Sequence, residues 1–366
     1  MDDARWMRAA LSLARRGLGT VAPNPAVGCI ILDAQGRLAG RGWTQRGGRP
    51  HAETEALRRV GSRARGGTAY VTLEPCSHHG QTPPCASALI EAGVTRVVAA
   101  CGDPDPRVSG RGFEMLRAAG IEVVTGVCEA DAEEANAGFF SKIRRGRPLV
   151  TLKLASTLDG RIATKSGESQ WITGEPARRA GHMLRATHDG IVVGLNTLLA
   201  DDPTLTCRLP GLEDRSPVRI VADSHLRTPL TSKLAATARE IPTWIVVAAG
   251  VEAERRKAFE ALGCQVIEIA PDAESRPLLL PMLEALAERG LTTLLAEGGA
   301  ALAAALLRED LVDRAVWFHA PSLMGGDGKP AVQPYGVERL ADMRRYRRAD
   351  VRQVGDDLVE TYVRAH

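Results

Sequence analysis

The sequence predicts two consecutive α/β domains, and three observations carry that expectation. The chain has 366 residues, too many for one ordinary core and enough for two that each bury their own apolar interior. Apolar strand-like runs alternate with amphipathic helical runs, the pattern of layered α/β architecture. The alternation breaks at Arg144-Arg145-Gly146-Arg147-Pro148, where Gly146 can stop a helix and Pro148 bars its continuation. The predicted domains are therefore residues 1–146 and 147–366. No internal repeat or low-complexity segment relates them, so two different folds are expected.

The first seventeen residues, MDDARWMRAALSLARRG, open with two acids and space Trp6, Ala10, Leu13 and Ala14 along one helical face. This predicts a helix rather than a signal peptide. Residues 27–32 and 38–42 read as two strands of a hairpin, joined by Asp33-Ala34-Gln35-Gly36. A helix is predicted over 51–60, a buried strand over 68–73, a helix over 85–92 and a buried strand over 95–100. Helix and strand recur at 113–119 and 121–127, and one charged helix is predicted over 129–145. In the second half, strands are predicted at 149–155, 190–193, 218–221, 243–247 and 293–296. The last leads through Glu297-Gly298-Gly299 into a helical run over 300–307.

Composition narrows the function classes. Hydrophobic residues make up 44% and charged residues 25%, the balance of a soluble globular protein. A formal net charge of +3 and 4% aromatics argue against a nucleic-acid partner, which would want a basic surface or stacking side chains. No stretch approaches the roughly 18 apolar residues of a membrane span, so a soluble, cytoplasmic protein is expected. The seven cysteines (29, 76, 85, 101, 128, 207 and 264) are odd in number and scattered, which argues against a disulfide framework.

Two of them stand apart. His51-Ala52-Glu53 opens a predicted helix, Pro75-Cys76 follows a predicted strand, and Cys85 opens the next helix. One His and two Cys make a three-ligand set for zinc that leaves a fourth position for water, the mark of a catalytic rather than a closed structural site. Glu53, two residues from His51, is the candidate general acid/base rather than a ligand. The H-x-E and P-C elements resemble those of zinc deaminases, with P-C-x₈-C in place of their short cysteine spacing. Two rivals remain at this point. His78 or His79 could close the site as a structural zinc domain without turnover, or the site could belong to a nucleic-acid-editing deaminase.

The segments PNPAVGC (23–29), PHAETEAL (50–57), TLEPCSHHGQTPPC (72–85) and DPDPRVSGRG (103–112) resemble the deaminase half of the bifunctional riboflavin-biosynthesis deaminase-reductases. KLASTLDGRIA (153–163), GESQWITG (167–174), ADDPTLTCR (200–208), DSHLRTP (223–229) and AEGGAALAAALL (296–307) resemble their reductase half. The resemblance implies a cytidine-deaminase-like three-layer α/β/α domain followed by a dihydrofolate-reductase-like α/β domain. It also implies zinc and NADPH as cofactors and a small-molecule substrate, 2,5-diamino-6-ribosylamino-4(3H)-pyrimidinone 5′-phosphate. That substrate would first lose a ring amino group and then have its ribose reduced to a ribityl chain.

Residue by residue, the resemblance assigns Asn24 to the pyrimidine ring. It places Ala155, Trp171, Thr197, Asp201, Ser224, Gly298 and Gly299 along the NADPH groove. Ser169, Arg185, Leu205, Arg208 and Glu297 are implied to face the substrate. Charge logic makes Arg185 and Arg208 candidates for the 5′-phosphate, and Ser224 with Arg227 candidates for the cofactor's 2′-phosphate. Thr44, Gln81 and Asp105 depart from residues common in the family, which leaves the grip on the phosphate open at the first site and keeps a related side-pathway nucleotide as an alternative. A homo-oligomer, dimer or tetramer, is expected.

Overall fold

The computed structural model describes residues 2–77 and 83–365. His78 and His79, the alternative fourth ligands, and Gln81 lie outside the described residues. The chain separates into two compact units, Met1–Gly146 and Arg147–His366.

The first unit runs α1 (Asp3–Ala14), β1 (Gly28–Leu32), β2 (Leu38–Trp43), α2 (Ala52–Val60), β3 (Thr68–Val71), α3 (Cys85–Glu91), β4 (Arg96–Ala99), α4 (Arg111–Ala118) and β5 (Glu122–Val124). Two more helices follow, α5 (Glu129–Ala135) and α6 (Ala137–Arg145). The sheet order is β2-β1-β3-β4-β5, with β1 antiparallel to both neighbours and β3, β4 and β5 parallel. Every residue of β1 and β3 is buried, as central strands covered on both faces must be.

Two glycines show the layering. A Cβ on Gly28 would lie 1.9 Å from the Ala10 carbonyl oxygen of α1, and one on Gly42 would lie 2.3 Å from that of Ala52 in α2. Gly42 pairs with Cys29, so Gly42 and Gly28 point to opposite faces. Helices therefore press onto both sides of this sheet, at distances only glycine allows.

The single helix expected over 129–145 is broken at Asn136. Its side chain leaves the helical ladder to hold the backbone of Ala26, accepting from its N–H at 2.8 Å and donating to its carbonyl at 3.0 Å. A contact across 110 residues overrides the local propensity.

The second unit contains β6 (Leu149–Thr157), β7 (Arg161–Ala163), α7 (Glu175–Thr187), β8 (Gly190–Gly194), α8 (Leu195–Asp201), β9 (Val218–Ala222), α9 (Lys233–Ala236) and β10 (Thr243–Ala248). It continues with α10 (Ala253–Ala261), β11 (Gln265–Ile269), α11 (Leu279–Glu288), β12 (Thr293–Glu297), α12 (Ala300–Arg308), β13 (Arg314–Ala320), β14 (Lys329–Pro330), β15 (Tyr346–Val354) and β16 (Asp357–Arg364). Nine strands form one sheet in the order β11-β10-β9-β8-β12-β6-β13-β16-β15, parallel from β11 to β13 and closed by an antiparallel hairpin.

The five strands predicted here are present, but the sequence reading does not predict β7, β11, β13, β14, β15 or β16. β15 is exposed at every interior position and carries Arg347, Arg348, Asp350 and Arg352, so a search for buried apolar runs passes over it. Arg147, the first residue of the second predicted domain, is buried and forks onto Asp313 at 2.7 and 2.9 Å. Among the described residues no helix is long and apolar enough to cross a membrane.

Candidate active sites

In the first unit, His51 is the residue that precedes α2, Cys85 is the first residue of α3, and Cys76 lies beyond β3. The fold brings the three together. His51 Nδ1 lies 3.3 Å from Cys85 Sγ and 3.7 Å from Cys76 Sγ, and all three donor atoms fall within 4.8 Å of one another. Neighbouring nitrogen and sulfur ligands on a tetrahedral zinc would be about 3.5 Å apart, so this donor set fits the ion.

Cys76 is poised as a thiolate. Hydrogen bonding from the Cys85 thiol, then from His51 and the Cys85 backbone N–H, holds it down to about 4 against the opposing effect of burial. Its partner Cys85 is pushed well up by that same bond and by burial. Glu53, 3% exposed, is lifted to about 7 by burial first and by the negative Cys76 second. A carboxyl that titrates near neutrality can both take and give a proton at working pH.

His51, Glu53 and Cys76 line a cavity of about 310 Å³ with Asn24, Thr44, Asp103, Asp105, Arg107 and Lys142, while Cys85 stands behind them with its Sγ within 4.8 Å of the other two ligand atoms. The bond from Asn136 to Ala26 fixes the loop that carries Asn24. Glu74, also buried, accepts backbone N–H bonds from Asp103, Gly110 and Gly112 at 3.3, 2.9 and 2.9 Å, tying the 103–112 loop to the strand end beside Cys76. Burial, with the like charges of Asp105, Glu74 and Cys76, raises Asp103 to about 6. Thr44 spends its hydroxyl on the N–H of Val27, at 3.0 Å. Sequence reasoning missed Glu74, Asp103 and Asn136 because their roles come from contacts tens of residues away.

In the second unit a cavity of about 290 Å³ brings together Ala155, Ser169, Trp171, Arg185, Asp201, Arg208 and Glu297. It also brings in Lys153 and His182, which sequence reasoning did not single out. Glu297, at the end of β12, is forked by Arg185 at 2.8 and 2.9 Å and approached by Lys153 at 3.4 Å. Burial would raise its pKa, but the charges of Lys153 and Arg185 bring it down to about 2. Burial and the nearby Arg185 and Arg208 keep His182 neutral, near 4.

Arg185 differs from the sequence expectation of a phosphate grip, because Nε and Nη2 are taken by Glu297 and Nη1 by the Thr206 carbonyl. Arg208 is exposed, and among the described residues its side chain donates to the Thr204 hydroxyl. The Leu205 side chain is buried in an apolar cluster with Ile191 and Val221 and does not line the cavity. Thr197, Gly298 and Gly299 meet at the junction between β12 and α12. Both glycines have positive φ (90° and 82°), and Cβ atoms on them would lie 3.1 and 2.9 Å from the Thr197 side chain. Such a cradle at a helix start fits a dinucleotide phosphate. Ser224 lines a different opening, of about 350 Å³, with His225 and Ala248 to Val251. Arg227 is exposed and is not part of that lining.

Together, a deaminase-type zinc fold and a dihydrofolate-reductase-like fold in one chain define a two-site deaminase-reductase. The family described as the cytidine and deoxycytidylate deaminase zinc-binding region matches residues 1–101, and that described as the RibD C-terminal domain matches residues 148–359. The chain is 42% identical to riboflavin biosynthesis protein RibD of Escherichia coli (strain K12), over 98% of each chain. It is also 42% identical to RibD of Aquifex aeolicus, over 98% of this chain and 97% of that one.

A solved structure of Acinetobacter baumannii RibD superposes with a TM-score of 0.89 at 39% identity, covering 100% of this chain and 99% of that one. The Thermotoga maritima diaminohydroxyphosphoribosylaminopyrimidine deaminase/5-amino-6-(5-phosphoribosylamino)uracil reductase gives 0.86 at 31% identity, with 99% of both covered. The chain belongs to the RibD family of bifunctional riboflavin-biosynthesis deaminase-reductases, with zinc and NADPH as its cofactors. Membership along the whole length leaves no place for the nucleic-acid-editing and purely structural alternatives.

Proposed function

We propose that the first cavity deaminates 2,5-diamino-6-ribosylamino-4(3H)-pyrimidinone 5′-phosphate and that the second reduces the ribosyl group of the product to a ribityl chain. The observation that carries the first assignment is the convergence of His51, Cys76, Glu53 and Asn24 on one cavity, with Cys85 beside the first two. His51, Cys76 and Cys85 hold zinc, which acts as a Lewis acid that makes water acidic near neutral pH. Asn24 orients the ring. Glu53 takes the proton of the attacking water and passes it to the departing amine, a double duty suited to a carboxyl near 7.

In the second cavity NADPH supplies the hydride. Ala155, Trp171, Asp201 and the cradle of Thr197, Gly298 and Gly299 bind the cofactor, with Ser224 lining a separate opening for its far end. Arg185 holds Glu297 in place, Glu297 in turn positions the Lys153 ammonium toward the sugar, and Ser169 offers a hydroxyl. Arg208, exposed beside them, grips the phosphate. The domain limits 1–146 and 147–366, a cytoplasmic location and a homo-oligomeric state belong to the same reading.

Anaerobic incubation with the diaminopyrimidine nucleotide and NADPH tests it, with ammonia release and loss of nicotinamide absorbance followed separately. In Cys85→Ala the first signal should vanish with the bound zinc, while NADPH oxidation on already deaminated substrate persists. Equal loss of both activities in a folded variant contradicts the two-site reading.

A further inference from the structure

At the first site no residue has yet been assigned to the substrate's 5′-phosphate. Such a group carries close to two negative charges near neutral pH and is best held by fixed cationic donors. Among the described residues lining the cavity, Arg49, Arg107 and Lys142 are cationic.

Arg107 is held unlike an ordinary surface arginine. Its Nε lies 3.0 Å from both carboxylate oxygens of Asp105, its Nη2 lies 2.5 Å from Oδ2, and its backbone N–H donates to Oδ1 at 2.9 Å. The anchor is sunk and the guanidinium is not: Asp105 is 7% exposed, whereas the Arg107 side chain is 74% exposed. The carboxylate grips one edge of the guanidinium, and Nη1 makes no hydrogen bond among the described residues.

The loop beneath is anchored in turn. Asp105 donates its N–H to Asp103 at 2.8 Å, and Glu74 holds Gly110 and Gly112 from a position two residues before Cys76. The guanidinium is thus oriented before any ligand arrives, which removes much of the ordering cost of binding an anion. A bland salt bridge within an exposed turn would contribute little to stability, and would need neither a buried acid nor a place on the cavity wall.

We propose that Arg107, positioned by Asp105, selects a phosphorylated substrate at the first site by binding its phosphate monoester at the cavity mouth. Asp105 offsets part of the charge, so Arg107 contributes directed donors while Arg49 and Lys142 add positive potential. The proposal rests on the reading of the first cavity as a pyrimidine-nucleotide deaminase.

The test compares kcat/KM for ammonia release from the nucleotide and from its dephosphorylated nucleoside, in wild type, Arg107→Ala, Arg107→Gln and Asp105→Asn. The nucleotide-to-nucleoside ratio should fall roughly tenfold to a hundredfold in both Arg107 variants, the usual loss for a charge-assisted bond, with zinc retained. Asp105→Asn should lower it by a smaller factor, because the guanidinium remains but is loosened. An unmoved ratio in zinc-replete Arg107→Gln, or proportional loss on both substrates, overturns the proposal and leaves Arg107 as a loop-shaping residue. Should wild type release ammonia from neither substrate, the deaminase reading itself fails, an outcome distinct from an unmoved ratio.

Discussion

Glu53 in the first unit and Glu297 in the second are both sunk near a helix start, and their surroundings drive the two carboxylates in opposite directions. Glu53 is buried beside the negative Cys76, so burial and like charge add, outweigh the opposing pull of His51 and the bond from Cys85, and lift it to about 7. Glu297, whose side chain is 14% exposed, lies between Lys153 and Arg185, and their charges overcome burial and bring it to about 2. Residue type and depth are nearly the same. What differs is the sign of the neighbouring charge, and with it the available chemistry: Glu53 can carry a proton at working pH, whereas Glu297 can only be a fixed negative charge.

Neutralising each carboxylate is the strongest way to break this contrast. Glu53→Gln keeps the shape but cannot shuttle a proton, so ammonia release should fall roughly 100- to 10,000-fold. Zinc should remain bound at the wild-type ratio, because Glu53 is not in the ligand set. Loss of zinc in that variant, measured by metal analysis, would make Glu53 a ligand instead.

Glu297→Gln should act differently, by leaving two cations facing each other in a mostly buried place. Removing one member of such a network costs about 2 kcal/mol once partial exposure is allowed for. Thermal unfolding should register that loss in the second unit, and NADPH oxidation should fall at least about tenfold while ammonia release persists. A variant as stable and as active as wild type would mean that the Lys153 and Arg185 charges do not need Glu297.

The last test, which leaves both active sites untouched, isolates burial from charge. His188 is buried between the Leu184 carbonyl, at 2.7 Å, and the Thr151 hydroxyl, at 2.9 Å, and burial lowers it from 6.5 to about 4. The unfolded chain therefore binds this proton first as pH falls. The stability tied to neutral His188 is complete above about pH 6.5 and declines toward pH 4, by up to about 3 kcal/mol. In His188→Gln, denaturant midpoints between pH 6.5 and 4 should fall less steeply than in wild type. An unchanged slope would place the acid sensitivity elsewhere.

How much of this was legible beforehand depends on the range of the interaction. The grouping of His51, Cys76 and Cys85 near Glu53 could be read because each stands in a short motif at the edge of a helix or strand, and local geometry places it. The turn Gly298-Gly299 was legible for the same reason, since its positive φ is a local demand. The halves themselves were legible from the helix stop at Gly146 and Pro148 together with the alternation of apolar runs. Asn136 was read as one more helical residue, because nothing local signals that its amide will hold Ala26. β15 was passed over because a charged, exposed edge strand has no buried face to reveal its period.

By itself, then, the sequence set His51, Cys76, Cys85 and Glu53 in short motifs at element edges and divided the chain into two alternating α/β halves, because covalent spacing and hydrophobic period are properties of the chain alone. Tertiary structure decided the rest: that Arg185 spends its donors on Glu297, that Leu205 turns into the core, that Arg107 is held by a buried Asp105, and that two similar carboxylates titrate on opposite sides of their ordinary value. Charge and dielectric act through space, and the neighbours that set them are separated along the chain by up to 144 residues, as Lys153 is from Glu297.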